Sequence, residues 1–519
     1  MLFCLPTEIL SLIVRHLDRK TLVNMSLVNS DFRWLALPGL CQELKSHHRT
    51  GSTGELARFL AQRLLDCPII SFHSCIQSLD LRSYYKPPDG ISTYHFELDL
   101  CKALLTLPNL THLKTGGLTL LPQLVSTLLA GTVRHLDIRR AHVLDDWKSL
   151  VPSHCQASIE TLRLGNLEVS KGSDFHYGFL CLCATRLKRL EVMESRDCSY
   201  EDLTSPFHHR PLRLDALRQA LVYQSAENDM ALRYLNAILA SAATLDSLQL
   251  KLWDSDGTRN ALFNMRQTRS LRAIRCHDVL AFHVLRKNLQ IEKLDLPSDV
   301  LADDQDLQHY LLPAIISMQP FLRLTCLSLC VWSRWRNGIS GFAPETLVQI
   351  GKITSLKQLC LVSGDRWKMN YHDELRRALQ PLTQLRHLAF CEDNYAFDYP
   401  HSEFWFEDFP RDYGPDNTRY MKGLAPEDYN EEAHILGDNL GTEDFEIFEQ
   451  VHLIRMSIET KVYVEFFPRL SWLHIGQHTM LISQGVATAA HPKRRLTGEE
   501  QHLLLRRTFG TKDKVFSGT

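Results

Sequence analysis

The stretch Leu5-Pro6-Thr7-Glu8-Ile9-Leu10 opens the most informative part of this chain. Its apolar residues continue at Ile13, Val14 and Leu17, so that they fall on one face of a helix. Pro6 suits the first turn of that helix, because the N–H that proline lacks has no partner there. The spacing therefore predicts a short amphipathic helix near the N-terminus.

Two further short helices are predicted over residues 18–37. Asp18 is a suitable N-cap for the second helix, and Ser30 or Asp31 can start the third. The apolar residues on these two helices are Leu22, Met25, Val28, Phe32 and Leu35. Three helices in about 40 residues cannot bury all of this apolar surface among themselves. The excess predicts a docking surface, either for a partner or for the rest of the chain.

Residues 5–37 resemble an F-box, the three-helix module that docks onto a Skp-type adaptor in cullin-RING ubiquitin ligases. The resemblance rests on the Leu-Pro-x-Glu-Ile-Leu opening, the Leu17-Asp18 helix end, the Ser26-Leu27-Val28 segment and an aromatic residue at position 32. The family often has a basic residue where this chain has Asp31, and often Trp where it has Phe32. The resemblance implies that the adaptor contacts are Leu5, Pro6, Ile9, Leu10, Ile13, Leu17 and Val28. The alternative is a helical cap that packs only within the chain.

A six-residue template with apolar first, fourth and sixth positions recurs along the body of the chain. Its clear copies begin at residues 76, 133, 159, 187, 245, 271, 291, 324, 356, 385 and 470, and weaker copies begin at 110 and 217. The mean interval between residues 76 and 385 is about 28 residues, a period that resembles leucine-rich repeats. Individual intervals vary, which predicts an irregular array.

Segments with helical apolar spacing precede several copies of the template. They are Asp99–Leu105, Gln123–Ala130, Ala231–Ala243, Leu307–Met318 and Asp373–Leu379. A helix followed by a short strand, repeated, stacks into a solenoid with a parallel sheet on its concave side. We therefore predict an α/β fold, in which a three-helix F-box precedes an irregular leucine-rich-repeat solenoid. Another α/β arrangement of the same strands is the alternative.

The domain boundaries follow from these patterns. Residues 391–450 interrupt the repeats with 17 acidic residues, three basic residues and 12 aromatic residues. This insertion is either a lid or docking loop over the solenoid, or a solvated excursion whose rings pack on nearby repeats. After Ile482 the chain carries short basic clusters, and we expect a mobile, solvated end. The predicted domains are an F-box at 1–45, a helical linker at 46–75, the solenoid at 76–480 and a basic tail at 481–519.

Composition excludes several classes of function. The formal net charge of −2 argues against a general nucleic-acid binder, and no apolar run is long enough to span a membrane. The 14 cysteines are scattered, which is typical of reduced, buried thiols in a cytoplasmic or nuclear protein. No catalytic motif, paired metal-binding motif or phosphate-binding loop is present. The sequence predicts no enzyme, no cofactor and no metal site.

The predicted target site lies on the concave face, because strand residues between the apolar anchors point away from the core. Early repeats are rich in basic residues there, and late repeats are apolar. The candidate target-binding residues are Arg82, Lys114, Arg139, Arg163, Arg189, Lys251, Arg275, Trp332, Trp335 and Trp472. This pattern predicts a target segment with an acidic or phosphorylated part and a hydrophobic part. The alternative is that the basic residues are solvated or paired with neighbouring acids.

The predicted function is substrate recognition in an SCF-type ubiquitin ligase. The F-box would bind the Skp-type adaptor and, through it, a cullin-RING ligase, while the repeats would bind an unidentified target protein. The resemblance implies that the chain supplies proximity, because it raises the effective concentration of the target. Two alternatives are a scaffold that binds the adaptor without driving ubiquitin transfer, and a repeat-protein regulator that binds no adaptor.

Overall fold

The computed structural model divides the chain into two compact units. The first unit contains residues 1–245 and 251–257, and the second contains residues 246–250 and 258–519. The residues described by the structure are 7–14, 16–45, 74–81, 93–144, 146–152, 156–169, 175–194, 212–224, 229–252, 258–259, 262, 270–276, 278–296, 307–331, 342–367, 369–393, 457, 459–475, 478–489, 504 and 508–509.

The first unit begins with three helices, as the sequence predicts. They are α1 (Thr7–Val14), α2 (Arg19–Ser26) and α3 (Ser30–Cys41). Asp18 caps α2 as expected, because its carboxylate accepts a hydrogen bond of 2.8 Å from the backbone N–H of Thr21. That bond lowers the pKa of Asp18. The cap of α3 is Asn29, not Ser30 or Asp31, and its side-chain oxygen accepts from the N–H of Phe32 at 2.8 Å.

One side of each helix packs into a small internal core. Val14, Leu22 and Ala36 are buried at its centre, and they come from α1, α2 and α3 in turn. The partly buried residues around them are Leu17, Met25, Leu35 and Leu40. This core uses the inner side of each helix, which leaves the other apolar side chains of the predicted stripe facing outward.

The rest of the first unit alternates strands with helices. Its main sheet runs in the order β1-β2-β3-β5-β7-β9-β10, and all of these neighbours pair in parallel. The strands are β1 (Glu43–Lys45), β2 (Ser78–Leu81), β3 (His112–Gly116), β5 (His135–Arg139), β7 (Thr161–Gly165), β9 (Arg189–Glu194) and β10 (Gln219–Gln224). The helices are α4 (Thr93–Leu105), α5 (Pro122–Ala130), α6 (Phe175–Cys183) and α7 (Asp229–Ser241).

Three two-residue strands form a second small sheet in the first unit. They are β4 (Thr119–Leu120), β6 (His142–Val143) and β8 (Glu168–Val169), and each follows a main strand after a tight turn. Gly117, Arg140 and Asn166 have positive φ values of 68°, 52° and 53° at these turns. The same left-handed turn thus recurs in successive repeats.

The second unit continues the same alternation. Its parallel strands are β11 (Ser247–Lys251), β12 (Ala273–Arg275), β13 (Lys293–Asp295), β14 (Cys326–Val331), β15 (Gln358–Trp367), β16 (His387–Asp393) and β17 (Trp472–Ile475). Its helices are α8 (Asp278–Lys287), a π-helical turn (Leu307–Leu311) that leads into α9 (Leu312–Met318), α10 (Pro344–Gly351) and α11 (Met369–Leu379). A further helical stretch covers residues 459–466.

The apolar anchors of the template form the core, as predicted. Leu113, Leu136, Leu162 and Leu190 are direct neighbours across adjacent strands of the first unit, and each has no exposed surface. The two weaker copies of the template also form strands in register, namely β3 and β10. The apolar residues at the fourth position of eight template copies are all 0% exposed: Leu136, Leu162, Leu190, Leu248, Leu294, Leu327, Leu359 and Leu388.

The F-box helices join the repeat sheet directly. Strand β1 follows α3 at once and pairs with β2, so that Glu43 lies beside Ser78. The Gln42 carbonyl accepts hydrogen bonds of 3.0 Å from the N–H groups of Gln77 and Ser78. The predicted helical linker at 46–75 lies outside the described residues, apart from residues 74 and 75, which are helical. The three N-terminal helices are therefore anchored to the first repeat by backbone hydrogen bonds.

The sheet does not end as the sequence predicts. Strands β18 (His478–Ser483) and β19 (Val486–Ala489) extend β17 as an antiparallel hairpin. Gln484 and Gly485 both have positive φ, which is typical of a two-residue hairpin turn. The boundary predicted at residue 480 falls inside this hairpin. The insertion at 391–450 lies outside the described residues, except that β16 runs to Asp393.

Truncation of one anchor tests this core. Leu136→Ala should lower the free energy of unfolding by about 2–5 kcal/mol, because it leaves a cavity where a completely buried side chain packs. Leu150→Ala is the matched control, since Leu150 is 51% exposed in the same unit. Chemical denaturation of both variants measures the difference. A loss below about 0.5 kcal/mol for Leu136→Ala would show that this position is not a core anchor.

Candidate functional site

The F-box helices and the turn between them expose a group of apolar side chains. Ile9, Ile13 and Val28, three of the predicted adaptor contacts, are 43%, 40% and 65% exposed. Four further apolar side chains are exposed on these helices or in the turn between α2 and α3: Leu12, Val23, Leu27 and Trp34. Together these seven residues are called the F-box apolar face here. The sequence analysis did not include the last four among the adaptor contacts, because it took those contacts from the first helical stripe and from the family pattern.

The other predicted adaptor contacts are placed differently. Leu10 is half-buried on α1. Leu17 packs partly against the internal core of Val14, Leu22 and Ala36. Leu5 and Pro6 lie outside the described residues.

The side of the first unit's sheet opposite the buried leucines carries a column of alternating charge. Strand pairing places Asp80 beside Lys114, Lys114 beside Asp137, Asp137 beside Arg163, and Arg163 beside Glu191. This side of the sheet is called the outer face. The alternation is a property of the register between strands, so the basic residues found in the sequence have acids as their direct neighbours.

Five residues on the outer face form a connected ion-pair network, and three of them belong to this column. Arg139 binds Asp137 through two hydrogen bonds of 3.0 and 3.1 Å. Arg163 Nε lies 3.1 Å from Glu191 and its Nη1 lies 4.0 Å from Asp137. Arg189 binds Glu191 at 2.6 Å. Asp137 is completely buried, whereas the Arg139 side chain remains 32% exposed. The network holds three cations and two anions, so its net charge is positive.

The remaining basic candidates lie outside this ion-pair network. Lys114 is only 8% exposed, and Lys251 Nζ lies 5.8 Å from the centroid of the Tyr223 ring. In the second unit, Arg275 Nε is 3.3 Å from Asp295. The structure therefore pairs most of the predicted basic residues with acids or an aromatic ring. Arg82, Trp332 and Trp335 lie outside the described residues.

Two histidines stack on the outer face of the first unit. The rings of His112 and His135 are 4.1 Å apart and nearly parallel. Burial, followed by the charge of His112, lowers the pKa of His135 to about 4. Burial also lowers the pKa of His112, with a smaller contribution from Lys114. Both rings are therefore neutral at physiological pH and add no positive charge to the face.

The apolar end of the predicted target face lies on the second unit and is covered. Trp472 is 9% exposed and forms a buried cluster with Cys326, Cys360, Ala389 and Phe509. Phe509 is itself only 3% exposed, so this part of the predicted mobile tail is packed against the sheet. The expectation of a solvated end is wrong for Phe509, because an aromatic side chain gains more from this apolar surface than from water.

No feature of the described residues indicates a metal centre. A search for groups of three or more His, Cys, Asp or Glu side chains that could hold an ion found none among them. The helices in the described part of the chain are also too short or too polar to cross a membrane. The candidate sites are the F-box apolar face and the outer face of the main sheet within each unit.

The comparisons with known proteins agree with the N-terminal geometry. A model of the F-box domain matches residues 2–33. The curated proteins gave no match. Among solved structures, a protein from Bacteroides fragilis matches with 12% identity and a TM-score of 0.30, covering 62% of this chain and 73% of its own. TLR13 in its ssRNA13 complex matches with 15% identity and a TM-score of 0.28, covering 64% of this chain and 58% of its own.

The chain therefore carries an F-box domain, and its body is a leucine-rich-repeat-like array. The first statement rests on the domain match at residues 2–33. Because both TM-scores are below 0.5, the second rests on this chain's own strand order, register and buried anchors. F-box domains generally bind Skp-type adaptors, and repeat arrays of this kind bind other proteins.

Proposed function

We propose that this protein is the substrate-recognition subunit of an SCF-type cullin-RING ubiquitin ligase in the cytoplasm or nucleus. The F-box apolar face would dock the Skp-type adaptor, and the outer faces of the repeat sheets would bind the target. The observation that carries the proposal is the set of seven exposed apolar side chains, six of them within the matched domain and the seventh, Trp34, directly after it. Apolar side chains concentrated on so small a module are typical of a protein-binding surface.

The junction between the F-box and the sheet supports a rigid receptor. Because β1 pairs with β2 immediately after α3, the adaptor-binding helices and the first repeats have a fixed relative position. A fixed position would present a bound target at a constant distance from the adaptor. The chain would then act by holding two partners together, a role that needs no acid–base group of its own.

A target stability measurement separates ligase function from scaffolding. Proteins that co-purify with the chain are identified first, and their half-lives are then measured with and without the chain. A substrate receptor should shorten the half-life of at least one such protein, and Ile9→Asp should abolish that effect. Unchanged half-lives, with the adaptor still bound, would favour the alternative of an F-box scaffold that does not drive ubiquitin transfer.

The charged outer face of the first unit is proposed to bind an acidic or phosphorylated part of the target. Arg139 is the best test of this proposal, because it is the most exposed of the three arginines in the network. Arg163→Glu or Arg189→Glu would bring a third carboxylate against Asp137 or Glu191 and would disturb the fold itself.

Arg139→Gln removes the positive charge without placing a carboxylate against the buried Asp137. It should weaken target capture by about tenfold at low salt, and by less at high salt, because screening reduces the contribution of charge. Lys188→Gln is the matched control, since Lys188 carries the same charge, is 61% exposed and pairs with Glu160. Target capture is measured by quantitative pull-down at two salt concentrations. Equal capture by the wild type and Arg139→Gln would remove Arg139 from the target site.

A further inference from the structure

A row of partly exposed side chains crosses the outer face of the first unit. Strand pairing places Arg139 beside Gly165, Gly165 beside Met193, and Met193 beside Tyr223, on strands β5, β7, β9 and β10. Arg139, Met193 and Tyr223 are each partly exposed, and together they are called the Arg-Met-Tyr row here. The row has a charged end and an apolar end within one unit of the fold.

Gly165 keeps the two ends of the row close together. A Cβ atom at this position would lie 3.5 Å from Cγ of Arg139 and 3.8 Å from Cβ of Met193. The aliphatic stem of the arginine and the methionine therefore border the same small space above the glycine. Arg163 donates a hydrogen bond of 3.0 Å to Sδ of Met193, which ties the methionine to the ion-pair network.

Arg139 has N–H donors left for a ligand. A guanidinium carries five N–H donors, and Arg139 uses two of them, on Nε and Nη2, to bind the carboxylate of Asp137. Within the described residues, its Nη1 group and the second N–H of Nη2 have no protein acceptor. These donors form a second fork on a side chain that is 32% exposed. Such a fork suits two oxygens of a carboxylate or of a phosphate.

The charge balance favours a carboxylate. The network of Asp137, Arg139, Arg163, Arg189 and Glu191 holds three cations and two anions, so that one carboxylate neutralises its formal charge. A phosphate group carries a charge of about −2 at neutral pH. It would leave excess negative charge beside the buried carboxylates of Asp137 and Glu191. We therefore expect an unmodified Asp or Glu at this fork.

The apolar end of the row is accessible to a side chain of the target. Met193 and Tyr223 are partly exposed, whereas Trp472, the described apolar candidate on the second unit, is covered by Phe509. Methionine adapts its shape to an apolar neighbour, and a tyrosine ring offers a large apolar surface. Lys251 Nζ lies 5.8 Å from the centroid of the Tyr223 ring and marks the far end of the row.

The strand spacing sets the distance between the two ends. Adjacent strands lie about 4.8 Å apart, so Met193 is about 10 Å and Tyr223 about 14 Å from Arg139 across the sheet. An extended peptide rises about 3.3 Å per residue. A peptide that crosses the strands with an acidic residue at Arg139 therefore places the third or fourth residue away from it over the apolar end.

We infer that the Arg-Met-Tyr row binds an extended target segment with an unphosphorylated Asp or Glu and, three or four positions away, an aliphatic residue. The carboxylate binds the second fork of Arg139, and the aliphatic side chain packs on Met193 and Tyr223. This inference rests on the proposed function, because it assigns the outer face to target binding. It places the acidic and the hydrophobic parts of the recognised segment on the same unit.

A peptide array tests the spacing and the charge with the fluorescently labelled full-length chain. Each peptide has a background of Ser and Gly and carries one Glu and one Leu, separated by one to six positions in either order. Binding should be strongest at separations of three and four, by at least about fivefold over a separation of one. Replacement of the Glu by Gln should abolish this preference, and replacement by phosphoserine should weaken binding.

Variants of the row are then compared by fluorescence anisotropy with the peptide that binds best on the array. Arg139→Gln should bind the Glu and Gln forms of this peptide equally well. Met193→Ala should bind the Glu form about tenfold more weakly than the wild type does. Leu105→Ala is the matched control, since Leu105 is exposed in the same unit, and its affinity should equal that of the wild type.

Gly165→Val tests the space between the two ends of the row. The valine side chain would occupy the space that Arg139 and Met193 border, so peptide binding should fall about tenfold with both of those residues still present. Thermal unfolding of this variant is measured in parallel. If the valine unfolds the chain, Arg139→Gln and Met193→Ala decide the outcome.

Three results would overturn the inference: binding that does not depend on the separation of Glu and Leu, phosphoserine that binds as tightly as Glu or more tightly, or wild-type affinity in both Arg139→Gln and Met193→Ala. None of these measurements contains the adaptor. A chain with the expected peptide preference that captures no adaptor would refute the proposed function alone. A chain that captures the adaptor but shows no preference among the peptides would refute this inference alone.

Discussion

Replacement of Arg376 by Met is expected to lower the free energy of unfolding by about 3–5 kcal/mol. Arg376 lies on α11 and is only 2% exposed. It binds Glu459 at 2.5 Å, pairs with Asp373 and lies over the Tyr463 ring at 5.0 Å. Burial alone would lower the pKa of Arg376, but Tyr463 and Glu459 outweigh it and the pKa is raised. Loss of the guanidinium would leave Glu459 charged and buried.

This network joins two parts of the chain that are far apart in sequence. Asp373 and Arg376 precede the acidic insertion, whereas Glu459 and Tyr463 follow it. His372 adds a hydrogen bond of 2.7 Å to the Tyr463 hydroxyl. The network therefore fixes the helical residues 459–466 against α11. It thereby joins the repeats that precede the insertion to those that follow it.

Two controls define the cause of the expected loss. Arg377→Met changes the exposed neighbour of Arg376 and should lower the free energy of unfolding by less than about 0.5 kcal/mol. The double change Arg376→Met with Glu459→Leu should recover much of the stability, because it removes both charges at once. Urea denaturation of the full-length chain measures all three variants. A loss below about 1 kcal/mol for Arg376→Met would show that the buried pair does not stabilise the fold.

Ile9→Asp should weaken binding of the Skp-type adaptor by at least about 100-fold, because a carboxylate would enter a contact from which water is excluded. Ile9 is 43% exposed in the free chain, so the same change should leave the fold intact. The combined change of Leu5 and Pro6 to Ala should act in the same direction. Adaptor binding is measured by co-purification and by calorimetry.

Leu105→Asp is the matched control for this prediction. Leu105 is 74% exposed at the end of α4, on the repeat array and not on the F-box. The Leu105→Asp change introduces the same charge at an exposed leucine and should not change adaptor binding. Undiminished co-purification of the adaptor with Ile9→Asp would exclude the F-box apolar face as the docking surface.

The parts of the fold that depend on local pattern could be predicted from the sequence. The three F-box helices follow from a helical stripe and a cap, and the strands follow from one short template. Even the weak copies at 110 and 217 form strands, because neighbouring repeats supply strands for them to pair with. A copy that matches the template imperfectly can still form a strand, because the adjacent repeats complete the core around it.

The charge pattern of the outer face could not be predicted from single repeats. Asp80, Asp137 and Glu191 were visible in the sequence, but their alternation with Lys114 and Arg163 depends on the register between five strands. A count of basic residues along the chain therefore overestimates the free positive charge of this face. The register leaves Arg139 as the arginine of this network most accessible to a target.

The contact of Phe509 with the late strands could not be predicted from local sequence patterns either. Cys326 and Phe509 are separated by 183 positions, and no periodicity links them. The apolar character of Cys326, Cys360, Ala389 and Trp472 was evident in the sequence, and it predicted a surface for the hydrophobic part of a target. It did not indicate that Phe509 of the same chain covers this surface.

The most direct test of the central claim is binding between the purified full-length chain and the Skp-type adaptor of the same organism. If the F-box apolar face is a docking surface, size-exclusion chromatography with light scattering should show a one-to-one complex. Calorimetry should then give a Kd below about 1 μM, equivalent to more than about 8 kcal/mol. Absence of a complex at micromolar concentrations of both proteins would contradict the claim, and the chain would then be a repeat protein that acts without the adaptor.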